Sequence, residues 1–197
     1  MPKGAYHHGD LKIELIRKGL AILNKEGVEA FSMRKVAQVC NVSQTAPYRH
    51  YKDKEELIAA ITLTAMRAFN DSLKQAVMDP DADPRQQLKD LGFAYIRFFI
   101  ENPEYLQLLF LSDIHKALSK HPEIIPDANS EHPFSVLAQT VKRYKASYED
   151  MRTEEQLLMY CWGLVHGIAI LIVRNQIPFH GDYLELAQSV LQNEHFL

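Results

Sequence analysis

Apolar residues recur every three or four positions along most of this chain, and no stretch alternates apolar and polar residues in the two-residue rhythm of a strand. Leu11, Leu15, Ile16, Leu20 and Leu23 make one such stripe and predict an amphipathic helix over about 10–25, ending near Gly27. Met33, Val36, Ala37 and Cys40 make a second, with Ser32 placed to cap its start. Asn41 stands where the chain must reverse, because Asn tolerates the left-handed conformation that a helix end often needs, and Val42 can fill the gap between two helices. Ser43 is then the expected cap of a third helix whose outer face carries Gln44, Thr45, Tyr48 and Arg49. Asp53 and Glu56 have the N-cap-plus-Glu spacing and start a fourth helix over about 54–78. Helix, tight turn and a helix with a hydrogen-bonding outer face is the pattern of a helix-turn-helix, whose second helix enters the major groove of DNA.

The strongest break in the sequence, Pro80-Asp-Ala-Asp-Pro84, follows that fourth helix. Beyond it the periodicity predicts helices over about 85–102, 103–111, 134–148, 153–175 and 182–193, with a loop over 112–133 punctuated by Pro122, Pro126 and Pro133. The reading is an all-α protein of about nine helices: a helix-turn-helix domain over 1–56, a linking helix over 54–78, and a helical body over 80–197. The eighth of these helices is apolar nearly all round, through Leu157, Leu158, Trp162, Leu164, Val165, Ile168, Leu171 and Ile172. Such a helix must be buried on every side. In so small a body a second copy of the chain supplies the missing cover, and Gly163 and Gly167, one turn apart, allow close approach. The alternative is a monomer with a well-packed central helix.

Composition adds a distinction between the two parts. The 197 residues are 47% hydrophobic and 24% charged, ordinary for a soluble globular protein, and the net charge is −3. Yet residues 1–56 hold ten Lys and Arg against seven Asp and Glu, and the rest twelve against eighteen, so only the N-terminal part has the sign that suits phosphate. Cys40 and Cys161 lie far apart inside apolar patterns, which is neither a disulfide framework nor a zinc spacing and fits a reducing cytoplasm. The start of the chain lacks the apolar core of a signal peptide. The apolar run Tyr160–Val173 is too short to span a bilayer and has His166 in its middle, so no membrane is expected as a partner. There is no Gly-rich phosphate loop, no Gly-x-Ser-x-Gly elbow and no paired metal-ligand motif, and the spacing of His115, His121, Glu123 and His132 fits no metal site. No enzyme, cofactor or metal is expected.

Several motifs fall in one order and spacing: His8-Gly-Asp-Leu11, Leu15-Ile16, Gly27, Phe31-Ser-Met-Arg34, Val36-Ala37, Asn41-Val-Ser43, Tyr48-Arg-His-Tyr51 and Lys54-Glu-Glu-Leu57. Over this first third the chain resembles the TetR family of one-component transcriptional regulators. The resemblance implies that Tyr48, His50 and Lys54 touch the DNA backbone, and it places Tyr51 in the core of the three helices. Arg34 is a further candidate for a phosphate, as are Lys3 and Tyr6 ahead of the first helix. At the opening of the recognition helix, Ser43 to Ala46, Gln44 can pair with adenine, Thr45 and Ala46 can touch a thymine methyl, and Arg49 reaches phosphate or guanine. Two residues depart from the family pattern: Asn41 stands where many relatives carry Gly, and Pro47 lies inside the recognition helix, where it removes a backbone donor.

The same resemblance implies a small-molecule pocket in the body, for which Phe98, Phe99, Tyr105, Phe110, Tyr144, Trp162 and His166 are the candidate lining, suited to a largely apolar ligand. For any one of these rings, simple core packing is the competing role. It also implies a homodimer through the last two long helices, with Leu164, Ile168, Leu171, Ile172, Leu186 and Val190 at the interface, on a palindromic double-stranded operator. Trp162-Gly-Leu-Val-His166-Gly167 resembles a pattern of one subgroup of these ligand-sensing halves. The expected function is a cytoplasmic repressor released from DNA by its effector, repression being the family majority. The alternatives are a helical interaction module without sequence-specific DNA binding, and a small-molecule enzyme.

Overall fold

A computed structural model of the chain describes residues 8–114 and 132–193. Within them lie α1 (His8–Ala30), α2 (Met33–Val39), a 3-10 turn (Pro47–Arg49), α3 (Lys54–Ala76), α4 (Pro84–Glu101), α5 (Pro103–Phe110), α6 (Pro133–Ser147), α7 (Glu154–Val173) and α8 (Tyr183–Gln192). No strand occurs among the described residues, and the all-helical reading holds. His115, His121 and Glu123 lie outside the described residues, as do Lys3 and Tyr6. The described chain divides into two compact units, residues 8–65 with 104–114 and residues 66–103 with 132–193. Helix α3 passes from the first into the second, and α5, which the sequence placed with the body, belongs to the first from Glu104 on.

In the first unit the local signals act as read. Ser32 accepts a hydrogen bond from Lys35 N at 3.3 Å and starts α2, which buries Met33, Val36 and Ala37. Asn41 takes φ 56°, and the two bonds of a Schellman cap close around it: Asn41 N donates to Gln38 O at 3.1 Å and Val42 N to Ala37 O at 3.0 Å. Asp53 accepts from Glu56 N at 2.9 Å, while the Glu56 carboxylate reaches back to Lys52 N, one residue earlier than in a strict capping box. Helix α1 runs further than expected. It bends at Gly27, whose φ of 78° breaks the regular helix, then continues to Ala30. Leu15, Phe31, Val36, Leu57 and Ile61 are at most 2% exposed, so α1, α2 and the first half of α3 share one core. Asn24 Nδ2 ties the start of α5 to α1 by donating to Glu104 O at 3.1 Å.

In the second unit α4 is the central element, packed by α6, α7 and α8. It buries Leu88, Leu91, Ala94, Tyr95, Ile96, Phe98 and Phe99, and at roughly 1.5–3 kcal/mol for each large apolar side chain this helix dominates the unit's hydrophobic stabilisation. Asp83 caps α4 through Arg85 N at 3.0 Å, with Pro84 in its first turn. The turn before it is tied to α6: Arg143 donates to Gln87 Oε1 and to Pro80 O, each at 2.5 Å, and Gln87 Nε2 donates to Asp79 O. Thr153 and Gln156 form a full capping box at the start of α7. Its end repeats the cap of α2, with Asn175 at φ 52° and Gln176 N donating to Leu171 O at 2.8 Å.

At 20 residues α7 is long and apolar enough to cross a bilayer by composition alone, which the shorter run Tyr160–Val173 did not suggest. Its row Leu157, Cys161, Val165, Ala169 and Ile172 is buried within the unit, and its other residues are half-buried or exposed.

The left-handed residue at 41 gives a direct test. Asn41→Gly should leave stability unchanged within a few tenths of a kcal/mol, whereas Asn41→Ala should cost about 1 kcal/mol, read from the denaturant midpoint.

Candidate nucleic-acid interface and effector cluster

The segment Ser43–Tyr51 is the expected recognition element, and here the structure departs from the sequence reading. In an α-helix the Ser43 carbonyl would accept from residue 47, but Pro47 has no N–H. Ala46 N donates to Ser43 O instead, at 3.0 Å, and Arg49 N to Ala46 O (3.2 Å) and His50 N to Pro47 O (3.0 Å) continue the i to i+3 pattern. The result is a 3-10 turn over Pro47–Arg49 in place of an α-helix starting at Ser43. Ser43 does not cap it through its side chain. Its hydroxyl shares a hydrogen bond with the Thr45 hydroxyl at 3.2 Å.

Two residues anchor this element from below. Pro47 is buried and Ala46 is 8% exposed, so Ala46, expected to face a base, is corrected to a core residue. Tyr51, 4% exposed, packs in the core as expected, and burial pushes its hydroxyl above the usual tyrosine range. Above the anchors, Ser43, Gln44, Thr45, Tyr48 and Arg49 are exposed, and Arg34 is exposed on α2. Tyr48 is 57% exposed, an unusual place for a large ring, while Phe31 and Tyr51 of the same unit are buried. His50 and Lys54 are half-buried beside it; Lys54 opens α3, where its charge adds to the positive end of the helix dipole. His50 Nε2 is buried and has no hydrogen-bond partner among the described residues.

The second unit gathers aromatic rings around α4. Phe69 packs against Tyr95, Phe98 and Phe99 at ring-centre distances of 5.1, 5.2 and 4.7 Å, and Tyr95 meets Trp162 edge to face at 5.4 Å. The Tyr95 hydroxyl forms a hydrogen bond with His166 Nδ1 at 2.7 Å. Burial raises the Tyr95 hydroxyl far above its usual range and lowers His166 below its own, so both are neutral at pH 7. Next to this pair, Leu73, Leu88, Leu91, Tyr95, Leu137, Cys161, Trp162 and Val165 line a cavity of about 20 Å³, room for a single water and for no larger guest until side chains move.

Of the candidate lining residues, the structure brings Trp162 to this cavity and His166 to Tyr95; Phe98 and Phe99 sit in the adjoining ring cluster. Tyr144 does not join them: it is 2% exposed, stacked on Tyr148 at 5.1 Å and donating to Asp150 Oδ2, and is corrected to a core residue. Tyr105 and Phe110 belong to the first unit. Phe69 and Phe134 join this site without any sequence signal for it, and nothing in local spacing couples Tyr95, itself among the rings expected in the body, to a histidine 71 residues later.

Flanking the buried row of α7, Leu164 and Ile168 are half-buried and Leu171 is 40% exposed; on α8, Leu186 is half-buried and Val190 41% exposed. Ile172, expected at the interface, is 7% exposed and points into its own core, which removes it from that set. Met159, at 78%, and Tyr160 extend the outward stripe instead, and a Cβ added at Gly163 or Gly167 would meet nothing within 4 Å.

Residues 15–61 match the family model of bacterial regulatory proteins, tetR family, and residues 88–193 that of the tetracyclin repressor-like C-terminal domain. The chain belongs to the TetR family of transcriptional regulators. Its relatives include the HTH-type transcriptional regulator YobS of Bacillus subtilis, 24% identical over 83% of this chain and 80% of that one. The transcriptional repressor NicS of Pseudomonas putida is 20% identical over 53% of this chain and 49% of its own. A solved tetR-family regulatory protein from Rhodococcus RHA1 shares the fold, with TM-score 0.69 at 18% identity, covering 92% of this chain and 93% of the other. The TetR-family head is a helix-turn-helix, so the exposed residues above Ala46 and Pro47 belong to a DNA-binding regulator. Among the described residues no group of three or more His, Cys, Asp or Glu side chains is arranged to hold a metal; His132 accepts from Phe134 N at 3.2 Å and caps α6.

Burial holds both His132 and His166 below the ordinary value of 6.5, so the unfolded chain binds protons that the folded chain resists. Their contribution to stability is full above pH 6.5 and is lost as pH falls through their folded values. Denaturant midpoints should therefore drop between pH 7.5 and 5.5, above the carboxylate range, and His166→Gln, which keeps an acceptor for Tyr95, should flatten that drop.

Proposed function

We propose that this TetR-family regulator acts in the cytoplasm as a homodimeric repressor that occupies a palindromic operator and leaves it when a small, largely apolar ligand binds the second unit. The carrying observation is the exposed row Gln44, Thr45, Tyr48 and Arg49 above the buried pair Ala46 and Pro47: hydrogen-bonding groups and a ring turned to solvent on a fixed base. Arg34, His50 and Lys54 are the accompanying backbone contacts, with Ser43 beside them. The repressing sign follows the relative NicS.

The dimer reading rests on the outward stripe Met159, Tyr160, Leu164, Ile168 and Leu171 with Leu186 and Val190, apolar surface that one chain leaves uncovered. Two copies joined there present two reading elements to successive major grooves, which calls for half-sites one helical turn apart, about 34–36 Å. The ligand reading rests on the rings around the Trp162 cavity, with Tyr95 and His166 as the polar pair that would orient a guest. A ligand shifts the equilibrium between DNA-bound and released forms only by its difference in affinity for the two. Helix α3, continuous from one unit into the other, is the connecting element.

Sequencing of genomic fragments retained by the purified protein tests this reading. A few palindromic sites should be enriched by the wild type, and Tyr48→Ala should lose at least about tenfold in affinity for them while melting normally, because the ring is exposed. Enrichment without sequence preference, unchanged in Tyr48→Ala, would support a helical module that binds DNA non-specifically. In sedimentation, Leu171→Glu should shift the dimer to monomer and weaken operator binding together.

A further inference from the structure

Resting on the ligand reading above, we propose that Asn70 is the polar anchor of the effector site, and that the effector is an uncharged molecule whose N–H or O–H donates to Asn70 Oδ1. Asn70 lies on α3 directly after Phe69 of the ring cluster and three residues before Leu73, which lines the Trp162 cavity. Residues three apart on a helix share a face, so Asn70 stands one turn from that cavity. It is 3% exposed, and its Oδ1 is buried with no hydrogen-bond partner among the described residues. A buried carbonyl oxygen is nearly always paired, because losing water without gaining a partner is costly. The other fully buried polar side chains of the second unit obey this rule. Gln87 bonds to Asp79 O and to Arg143, and Thr140 donates to Val136 O. Arg85 Nε is also buried and unpartnered, but its side chain is only half-buried and lies over the Tyr148 ring.

The surroundings define the missing partner. Oδ1 is an acceptor, so what completes it is a donor. The cavity is lined by aliphatic side chains, Gly92, Cys161 and the rings of Tyr95 and Trp162, with no charged group among them. An ion placed there would be desolvated and unpaired, which selects a neutral guest. The Tyr95 hydroxyl and His166 Nδ1 already bond to each other. A guest that bonds to either exchanges one hydrogen bond for another, whereas one that reaches Asn70 Oδ1 adds a bond. At about 20 Å³ the cavity must open to admit it, and the buried unpaired oxygen favours the opened, occupied state.

Trp162 is the single tryptophan of the chain, so its emission reports a guest in this cavity. The test molecules are phenol, a neutral donor; fluorobenzene, of similar shape without a donor; and benzoate, an anion. Each is titrated at neutral pH into the wild type, into Asn70→Leu, which replaces the amide by an apolar group of similar shape, and into Asn70→Ala, which removes it without adding bulk. Phenol should bind the wild type and weaken about tenfold in both variants, with fluorobenzene changing by less than about twofold and benzoate binding none of the three. Equal changes for phenol and fluorobenzene, fluorobenzene binding where phenol does not, or benzoate binding the wild type more tightly than phenol would overturn the assignment to Asn70 and leave the ligand reading standing. If no compound alters the Trp162 emission of the wild type, the ligand reading at this cavity fails first and the assignment with it.

Discussion

Short helical elements do not hold their shape alone. Below about a dozen residues a helix in water is marginal, because the first turn costs more conformational entropy than its single hydrogen bond returns. Helix α2 has seven residues and the turn that follows it three, yet both are well defined. What holds them is burial: Met33, Val36 and Ala37 below α2, Ala46 and Pro47 below the turn, and Phe31, Leu57 and Ile61 as the common floor. The exposed residues proposed to read DNA are therefore placed by apolar contacts on the other side of a segment one turn thick. A DNA-binding surface of this kind is only as precise as the packing beneath it.

The second unit follows the same logic on longer elements. Helix α4 is covered on several sides and its rings are mutually packed, so that the Tyr95–His166 bond is partly shielded from water, with Tyr95 buried and His166 half-buried. Helix α7 has more apolar surface than the unit can cover. One row is core, and the stripe carrying Met159, Tyr160 and Leu171 is left to solvent. Glycines at 163 and 167, with open space where a Cβ would stand, leave that stripe accessible to another backbone. The ring cluster and the stripe thus divide a single helix between an inward role and an outward one.

The two helix ends at Asn41 and Asn175 show how local chemistry enters this arrangement. Each Asn takes a positive φ after a short cap, and each satisfies carbonyls that would otherwise face an exposed helix end. At Asn41 this geometry also sets the direction of the 3-10 turn, since Val42 N bonds back to Ala37 O and fixes where Ser43 begins.

Periodicity, caps and breaks made the helical order legible in advance: Ser32, Asp53, Thr153 and Asp182 each mark a boundary through a side chain that bonds to its own neighbouring backbone, and Asn41 marks one by taking a left-handed φ. The motif around Tyr48 and Lys54 made the family legible for the same reason, a short run of residues with a local job. Three matters were not legible. Pro47 was visible, but whether its missing donor would kink an α-helix or impose a 3-10 turn depended on the burial of Ala46 and Pro47 against α2 and its neighbours. Which side of an all-apolar helix faces inward, and hence that Ile172 is core while Met159 is not, depends on where α4 lies. The separation of Tyr144 from Trp162 and the union of Tyr95 with His166 join residues distant in sequence. Sequence alone determined what is local, because capping and amphipathicity act over three or four residues; the tertiary structure decided which faces meet, because contact between distant segments has no local signature.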